Sequence, residues 1–145
     1  MNLQLRPAAV EDYPFLQGLY RRAYEVLVTR QYGSWDGDVQ RARFDKKLQS
    51  VEFKIVLVDS QPVGAVSSTG HADHILLNEL LVQPEFQGRG IGSRVLRDVI
   101  RHAVQLGKPL RLHTLRMNRA QELYKRHGFI ETGRDENYVE LERPA

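Results

Sequence analysis

The segment from Ile75 to Val104 changes hydrophobic period once, and that change constrains the whole fold. Ile75-Leu76-Leu77-Asn78-Glu79-Leu80-Leu81-Val82 is almost continuously apolar, which marks a central strand buried on both faces. After it come Gln87-Gly88-Arg89-Gly90-Ile91-Gly92 and then a helical stripe of Ile91, Val95, Leu96, Val99, Ile100, Ala103 and Val104, ended by Gly107 and Pro109. Strand, glycine turn and helix in that order aim several backbone N–H groups and the positive end of a helix dipole at one point, a ready site for phosphate. The alternating glycines let a ligand approach the main chain where a Cβ would block it. Leu110, Leu112 and Thr114 alternate as the next strand, so the unit closes as a right-handed β-α-β crossover.

Three cofactor classes use such a cradle, and the residues separate them. A Walker A loop requires Lys and then Ser or Thr after its last glycine, whereas Gly92 is followed by Ser93 and Arg94. A dinucleotide fingerprint requires a glycine where Ser93 stands and an acidic ribose partner about 20 residues on, where Lys108 and Pro109 lie. The pattern that remains is Gln/Arg-x-x-Gly-x-Gly/Ala, met by Gln87, Gly90 and Gly92. It resembles the coenzyme A pyrophosphate loop of the GNAT N-acetyltransferase family.

The rest of the chain supplies elements on both sides of that unit. Leu3 and Leu5 alternate in a first strand that Pro7 ends, and a helical pattern runs from Val10 to about Val28, with Glu11 and Asp12 in its first turn and Pro14 near its start. Gln31 to Asp38 reads as a loop, and a second helix is expected from Asp38 to Gln49. Phe53 to Val58 and Val63 to Ser67 form a hairpin about a turn at Asp59-Ser60-Gln61-Pro62. Asn118 is placed to cap a helix ending at Gly128, with Gln121 completing a variant capping box. Phe129 to Thr132 and Tyr138 to Leu141 make a final strand pair. The order β, α, α, β, β, β, α, β, α, β, β predicts an α/β fold with a mixed, mostly antiparallel central sheet flanked by helices. That order also resembles the GNAT fold over almost the whole chain, which implies a bulge and splay of the sheet at the acetyl-CoA site.

At 145 residues the expectation is a single domain, residues 1–145, with one core. The absence of cysteine excludes a disulfide scaffold, a thiolate zinc site and a cysteine acyl-enzyme. A net charge of +3 suits an anionic cofactor, and with no basic block it does not indicate nucleic acid. No stretch approaches the roughly 18 apolar residues of a membrane span, and Met1 to Arg6 lacks a signal core, so a cytoplasmic protein with no membrane partner is expected. His71, Asp73 and His74 lie in a hairpin turn without a helical scaffold, and no metal site is expected.

The resemblance implies roles for particular residues. Main-chain groups of Leu80, Leu81 and Val82 would hold the pantetheine arm and the thioester carbonyl, and Gln87, Gly88, Arg89, Gly90, Ile91, Gly92 and Ser93 would bind pyrophosphate. Asn118-x-Ala120-x-x-x-Tyr124 resembles the family's second signature, with Asn118 and small Ala120 beside the arm and Tyr124 reaching the sulfur as the acid. A phenol of pKa about 10 stays protonated at neutral pH and donates to a departing thiolate whose acid has a pKa of about 8.5. The base is harder to assign, because direct transfer from an alkylammonium of pKa about 10.4 to a carboxylate of about 4.3 is uphill by roughly 8 kcal/mol. Glu79, interrupting an apolar strand, is the best candidate, since burial raises a carboxylate's pKa; Asn78 on the opposite face is a weaker one for orienting water. Tyr24, Tyr32, Trp35 and Asp36 concentrate aromatic surface and a carboxylate on the acceptor side, suited to a cationic or aromatic amine.

These residues imply an acetyl-CoA-dependent N-acetyltransferase, with acetyl-CoA as cosubstrate and a small-molecule primary amine as acceptor. Two alternatives stay open: a protein or peptide N-terminal acetyltransferase, which needs an open groove between the Trp35 loop and the last hairpin, and a non-catalytic acyl-CoA sensor. Domains of this family are often homodimers, although no residue of this chain marks an interface.

Overall fold

Strand β1 (Leu3–Pro7) forms where Leu3 and Leu5 alternate, and a short 3₁₀ turn at Val10–Asp12 leads into helix α1 (Tyr13–Tyr32), as a computed structural model describing all residues from Met1 to Ala145 shows. Pro14 lies in the first turn of α1, where its missing N–H costs nothing. The helix runs past Val28 through Tyr32, until Gly33 closes it at a φ of 88°. Helix α2 (Gly37–Ser50) follows, then β2 (Lys54–Val58), β3 (Gln61–Gly70), β4 (Ile75–Val82), helix α3 (Ile91–Gln105), β5 (Leu110–Leu115), the short helix α4 (Ala120–Arg126), β6 (Ile130–Arg134) and β7 (Tyr138–Arg143). The β2–β3 turn is tighter than expected: Asp59 and Ser60 take positive φ values of 49° and 69°, and β3 already begins at Gln61.

All seven strands join one sheet in the order β1-β2-β3-β4-β5-β7-β6, with β4 and β5 the one parallel pair. Helices α1 and α2 cover one face through a cluster of Leu16, Leu19, Phe44, Phe53, Ile55, Ala65 and Leu81. The other face carries the larger cluster under α3 and α4, which includes Val63, Ile91, Val95, Leu96, Leu112, Phe129 and Leu141. Each fully buried aliphatic side chain there contributes about 1.5–3 kcal/mol by leaving water.

Two irregularities in β4 position everything that follows. Ser67 pairs with Glu79 but Ser68 pairs with Leu77, so Asn78 is an extra residue in a β-bulge. The bulge shifts the side-chain parity: Ile75 and Leu77 belong to the cluster under α3, whereas Leu81 belongs to the cluster under α1 and α2. Glu79, two residues from Leu81, turns with it. The second irregularity is the end of parallel pairing, since β4 and β5 are paired only at Ile75 with Leu110 and Leu76 with Arg111. Beyond that point the strands diverge, and the residues from Leu77 onward face an opening instead of a neighbouring strand. For that reason alternate residues of β4 (Leu76, Asn78, Leu80 and Val82) are only half-buried, where the sequence predicts a strand buried on both faces. No helix is long and apolar enough to cross a membrane.

Candidate active site

The glycine turn builds the outer end of a groove. Gly88 and Gly90 adopt φ values of 76° and 80°, a region closed to most side chains, and Gly90 is the N-cap of α3. The first backbone N–H of α3 with a carbonyl partner is that of Arg94, bonded to the Gly90 oxygen at 3.1 Å. The N–H groups of Gly88 through Ser93 donate to no backbone carbonyl, and a Cβ added at Gly88 or Gly90 would meet no protein atom within 4 Å. A helix start with free donors, a positive dipole end and open space is an anion cradle.

From the cradle a groove of about 730 Å³ runs inward between α1, the end of β4 and α4. Its walls include Leu80, Val82, Asn118, Ala120 and Tyr124, together with the cationic side chains Arg22, Arg30, Arg119 and Arg126. Arg22 and Arg30 carry no sequence signal beyond their place on the polar side of α1. Arg89 turns away from the groove, its guanidinium 5.1 Å from the centre of the Phe86 ring. Gln87 also folds back, its amide donating to the Val82 carbonyl at 3.0 Å and tying the turn to the open end of β4. Asn118 holds the approach to α4: its amide donates to Thr114 Oγ1 at 2.8 Å, and its Oδ1 accepts from the Ala120 N–H at 2.9 Å. The capping box expected with Gln121 does not form, since the Gln121 amide instead donates to the carbonyls of Arg116 and Asn118.

The groove opens into the splay between β4 and β5, a narrow junction of about 140 Å³ lined by Tyr124, Glu79, Leu80, Leu81, Asn78 and Ala120 among others. Tyr124 is 7% exposed, its ring edge-on to Phe129 at 5.6 Å, and its hydroxyl makes no hydrogen bond within the protein. Burial, and next the charge of Glu79, push its pKa up from the ordinary tyrosine value, so the phenol keeps its proton.

Beyond the junction lies an inner cavity of about 240 Å³ between α1, α2 and the ends of β4, β5 and β7. Glu79 sits on the boundary, 7% exposed, with both carboxylate oxygens engaged. Tyr24 donates its hydroxyl to Oε2 at 2.6 Å, and Lys47 of α2 donates to Oε1 at 2.6 Å. Glu79, read from the strand pattern as a candidate base, is therefore half of an ion pair with Lys47. The sequence pattern contains no signal for Lys47, because its contact with Glu79 depends on how α2 lies over the bulge. Burial and the neighbouring Glu79 carboxylate raise the Tyr24 pKa well above 10, and burial brings that of Tyr20 to about 12, so both hydroxyls stay protonated. Asn78 spans the bulge and donates to Ser67 and Thr69 hydroxyls at 3.1 and 2.8 Å.

Of the residues expected on this side, Tyr24 and Tyr32 reach the cavity, while Trp35 and Asp36 do not. Asp36 accepts from the N–H groups of Asp38 and Val39 as the N-cap of α2, and Trp35 packs within the loop with its indole N–H buried and unpaired. Gln31 at the end of α1 makes two longer-range links, donating to the Asn137 carbonyl at 2.7 Å and accepting from the Met117 N–H at 3.1 Å. It thereby ties α1 to the loop before α4 and to the β6–β7 turn. A larger cavity of about 910 Å³ lies at the opposite end of the sheet, near Pro7, Phe53 and His102, and contains none of these residues. No group of three or more His, Cys, Asp or Glu side chains is arranged to hold a metal.

Known proteins resemble this chain in sequence and in fold. A family model described as an acetyltransferase (GNAT) domain matches residues 50–131. The uncharacterised N-acetyltransferase YafP of Escherichia coli strain K12 is 24% identical over 133 residues, covering 88% of this chain and 81% of that protein. A thialysine N-epsilon-acetyltransferase of Bos taurus is 41% identical over 63 residues, which is 42% of this chain and 37% of the bovine one. Among solved structures, the PaiA N-acetyltransferase of Thermoplasma acidophilum in complex with coenzyme A superposes with a TM-score of 0.76 at 18% identity, with both chains covered in full.

Proposed function

The chain belongs to the GNAT acetyltransferase family, and from that premise we propose that it transfers the acetyl group of acetyl-CoA directly to the primary amine of a small molecule. One observation carries the reading: the groove and the inner cavity meet at the β4–β5 splay, so that Tyr124 lines both the groove and the junction, and Glu79 both the junction and the cavity. A thioester laid along the groove from the cradle and an amine entering from the cavity converge there, as transfer in a ternary complex requires.

Each element then has a task. The free N–H groups from Gly88 to Ser93 receive pyrophosphate, with Arg22, Arg30, Arg119 and Arg126 offsetting further phosphate charge. The main-chain N–H groups of Leu80 and Val82, unpaired on the β5 side, polarise the thioester carbonyl. The amine nitrogen forms the new N–C bond as the C–S bond breaks, the nitrogen's proton leaves through Glu79 or a water beside it, and the departing sulfur is met by the Tyr124 hydroxyl. Proton transfer from phenol to thiolate is uphill by about 2 kcal/mol even at ordinary pKa values, and burial of Tyr124 raises that cost unless the same dry surroundings also make the sulfur more basic. Tyr124 therefore acts first as a hydrogen-bond donor to developing negative charge.

The size of the cavity and the Gln31 links favour a small acceptor over a peptide, because a peptide would lie across the gap that Gln31 bridges. The test is release of free thiol from acetyl-CoA with a panel of amines and peptides, comparing the parent with Tyr124→Phe and Glu79→Gln. Turnover confined to peptides, or tight coenzyme binding with no turnover of any acceptor, would refute the proposal.

A further inference from the structure

The acetyltransferase reading leaves the acceptor open, and the charge of the inner cavity narrows it. Two cations, Arg43 and Lys47, project into it from adjacent turns of α2, against a single carboxylate, that of Glu79. Lys47 is paired with Glu79 at 2.6 Å, while Arg43 forms neither an ion pair nor a hydrogen bond within the protein. Gln40, one turn earlier on the same face of α2, is only 8% exposed and makes no side-chain hydrogen bond within the protein, so its amide is available to a ligand in the cavity. Around these groups stand Tyr20, Tyr32 and Tyr138, polar enough to donate and broad enough to cover an apolar body. A plain cationic amine, the acceptor expected from the sequence, would meet this surplus of positive charge with nothing to neutralise it.

We infer that the acceptor is an amine bearing its own carboxylate: the carboxylate pairs with Arg43 and accepts from Gln40, while the amine reaches Glu79 and takes the place of the Lys47 ammonium there. The inference rests on the acetyltransferase reading. The planar fork of Arg43 matches a carboxylate in two parallel hydrogen bonds, and the single negative charge of that carboxylate offsets the cavity's surplus of one positive charge.

The protein saturated with coenzyme A, which supplies no acetyl group and so permits no turnover, is titrated calorimetrically with phenylalanine, with phenethylamine, which lacks the carboxylate, and with 3-phenylpropionate, which lacks the amine. Lysine and cadaverine repeat the comparison with an aliphatic body. In at least one pair the aminocarboxylate binds at least about tenfold tighter than its decarboxylated partner, the worth of one charge-assisted hydrogen bond. Arg43→Gln removes that preference, Arg43→Lys keeps part of it, and coenzyme A affinity in the same samples reports that each variant is folded. Equal or tighter binding of both plain amines, a preference that survives in Arg43→Gln, or no binding of either carboxylate-bearing amine would overturn the inference. Thiol release from acetyl-CoA separates the two readings: carboxylate preference with no turnover of any amine sinks the catalytic reading, and turnover without the preference sinks this one.

Discussion

The groove proposed for the donor and the cavity proposed for the acceptor meet at Glu79 and Tyr124 but are made of different material. The groove presents backbone: six consecutive N–H groups from Gly88 to Ser93 and the unpaired edge of β4 after Leu76. The cavity presents side chains drawn from α1, α2, β4, β5 and β7. Backbone donors are the same whatever side chains surround them, so a groove built this way serves one cofactor across divergent sequences. A cavity of side chains is rewritten by single substitutions, which fits a family whose members share a donor and differ in acceptor.

Four measurements test that contrast. The largest effect is expected at the meeting point: Tyr124→Phe lowers kcat by about 100-fold or more, the lower range for losing one preorganised hydrogen-bond donor to developing negative charge, while coenzyme A affinity changes little. Steady-state thiol release checks it, and an unchanged kcat would remove Tyr124 from the chemistry. Next comes the backbone half. Gly90→Val forces a β-branched residue to a φ of 80°, and coenzyme A binding weakens by about 5-fold to 30-fold, from the conformational penalty of about 1–2 kcal/mol. Calorimetry reads that value, and a variant that binds normally would mean the cradle is not made of main chain.

On the side-chain half, Lys47→Met frees Glu79 Oε1 for an incoming ammonium, and KM for a plain alkylamine falls about fivefold, the worth of a partly exposed ion pair. A rise in KM would show instead that Lys47 helps to bind the acceptor. The smallest effect is a control outside both halves. Asp12 bridges β1 and α1 by accepting from Arg6 at 2.7 Å, and its hydrogen bonds to Arg6 and to the Ala9 N–H lower its pKa from 3.8 to about 2. A depressed carboxylate stabilises the fold above its unfolded pKa and loses that effect as pH falls from about 4 to about 2. Asp12→Asn therefore lowers stability by about 1 kcal/mol at pH 7, the partly exposed Arg6 limiting the effect, and the two proteins converge near pH 2. Urea melts across pH test this, with kinetics at pH 7 unaffected.

The two halves were also unequally legible in the sequence. Gln87, Gly90 and Gly92 mark the cradle because the constraint is local: positive φ and room for a ligand are properties of a few consecutive residues. The seven strands and four helices followed from periodicity, with errors confined to element ends such as α1, which runs on to Tyr32. Asp36 and Trp35 misled because a carboxylate before a helix is equally a cap, and only the fold shows which use it has. Arg43, Lys47 and Gln40 were invisible because their shared face of α2 is defined by what it covers. The weak apolar pattern of that helix did not reveal that its polar side turns inward.

By itself the sequence determined the strand–glycine turn–helix unit, the order of elements and the kind of donor the cradle suits, since each depends on residues that are neighbours in the chain. Only the tertiary structure decided that Asn78 bulges, that Glu79 consequently faces α2, and that β4 parts from β5 after Leu76. Sheet register and helix placement are settled by packing over the whole molecule. The acceptor cavity, assembled from side chains up to 118 positions apart between Tyr20 and Tyr138, exists only once that packing is complete.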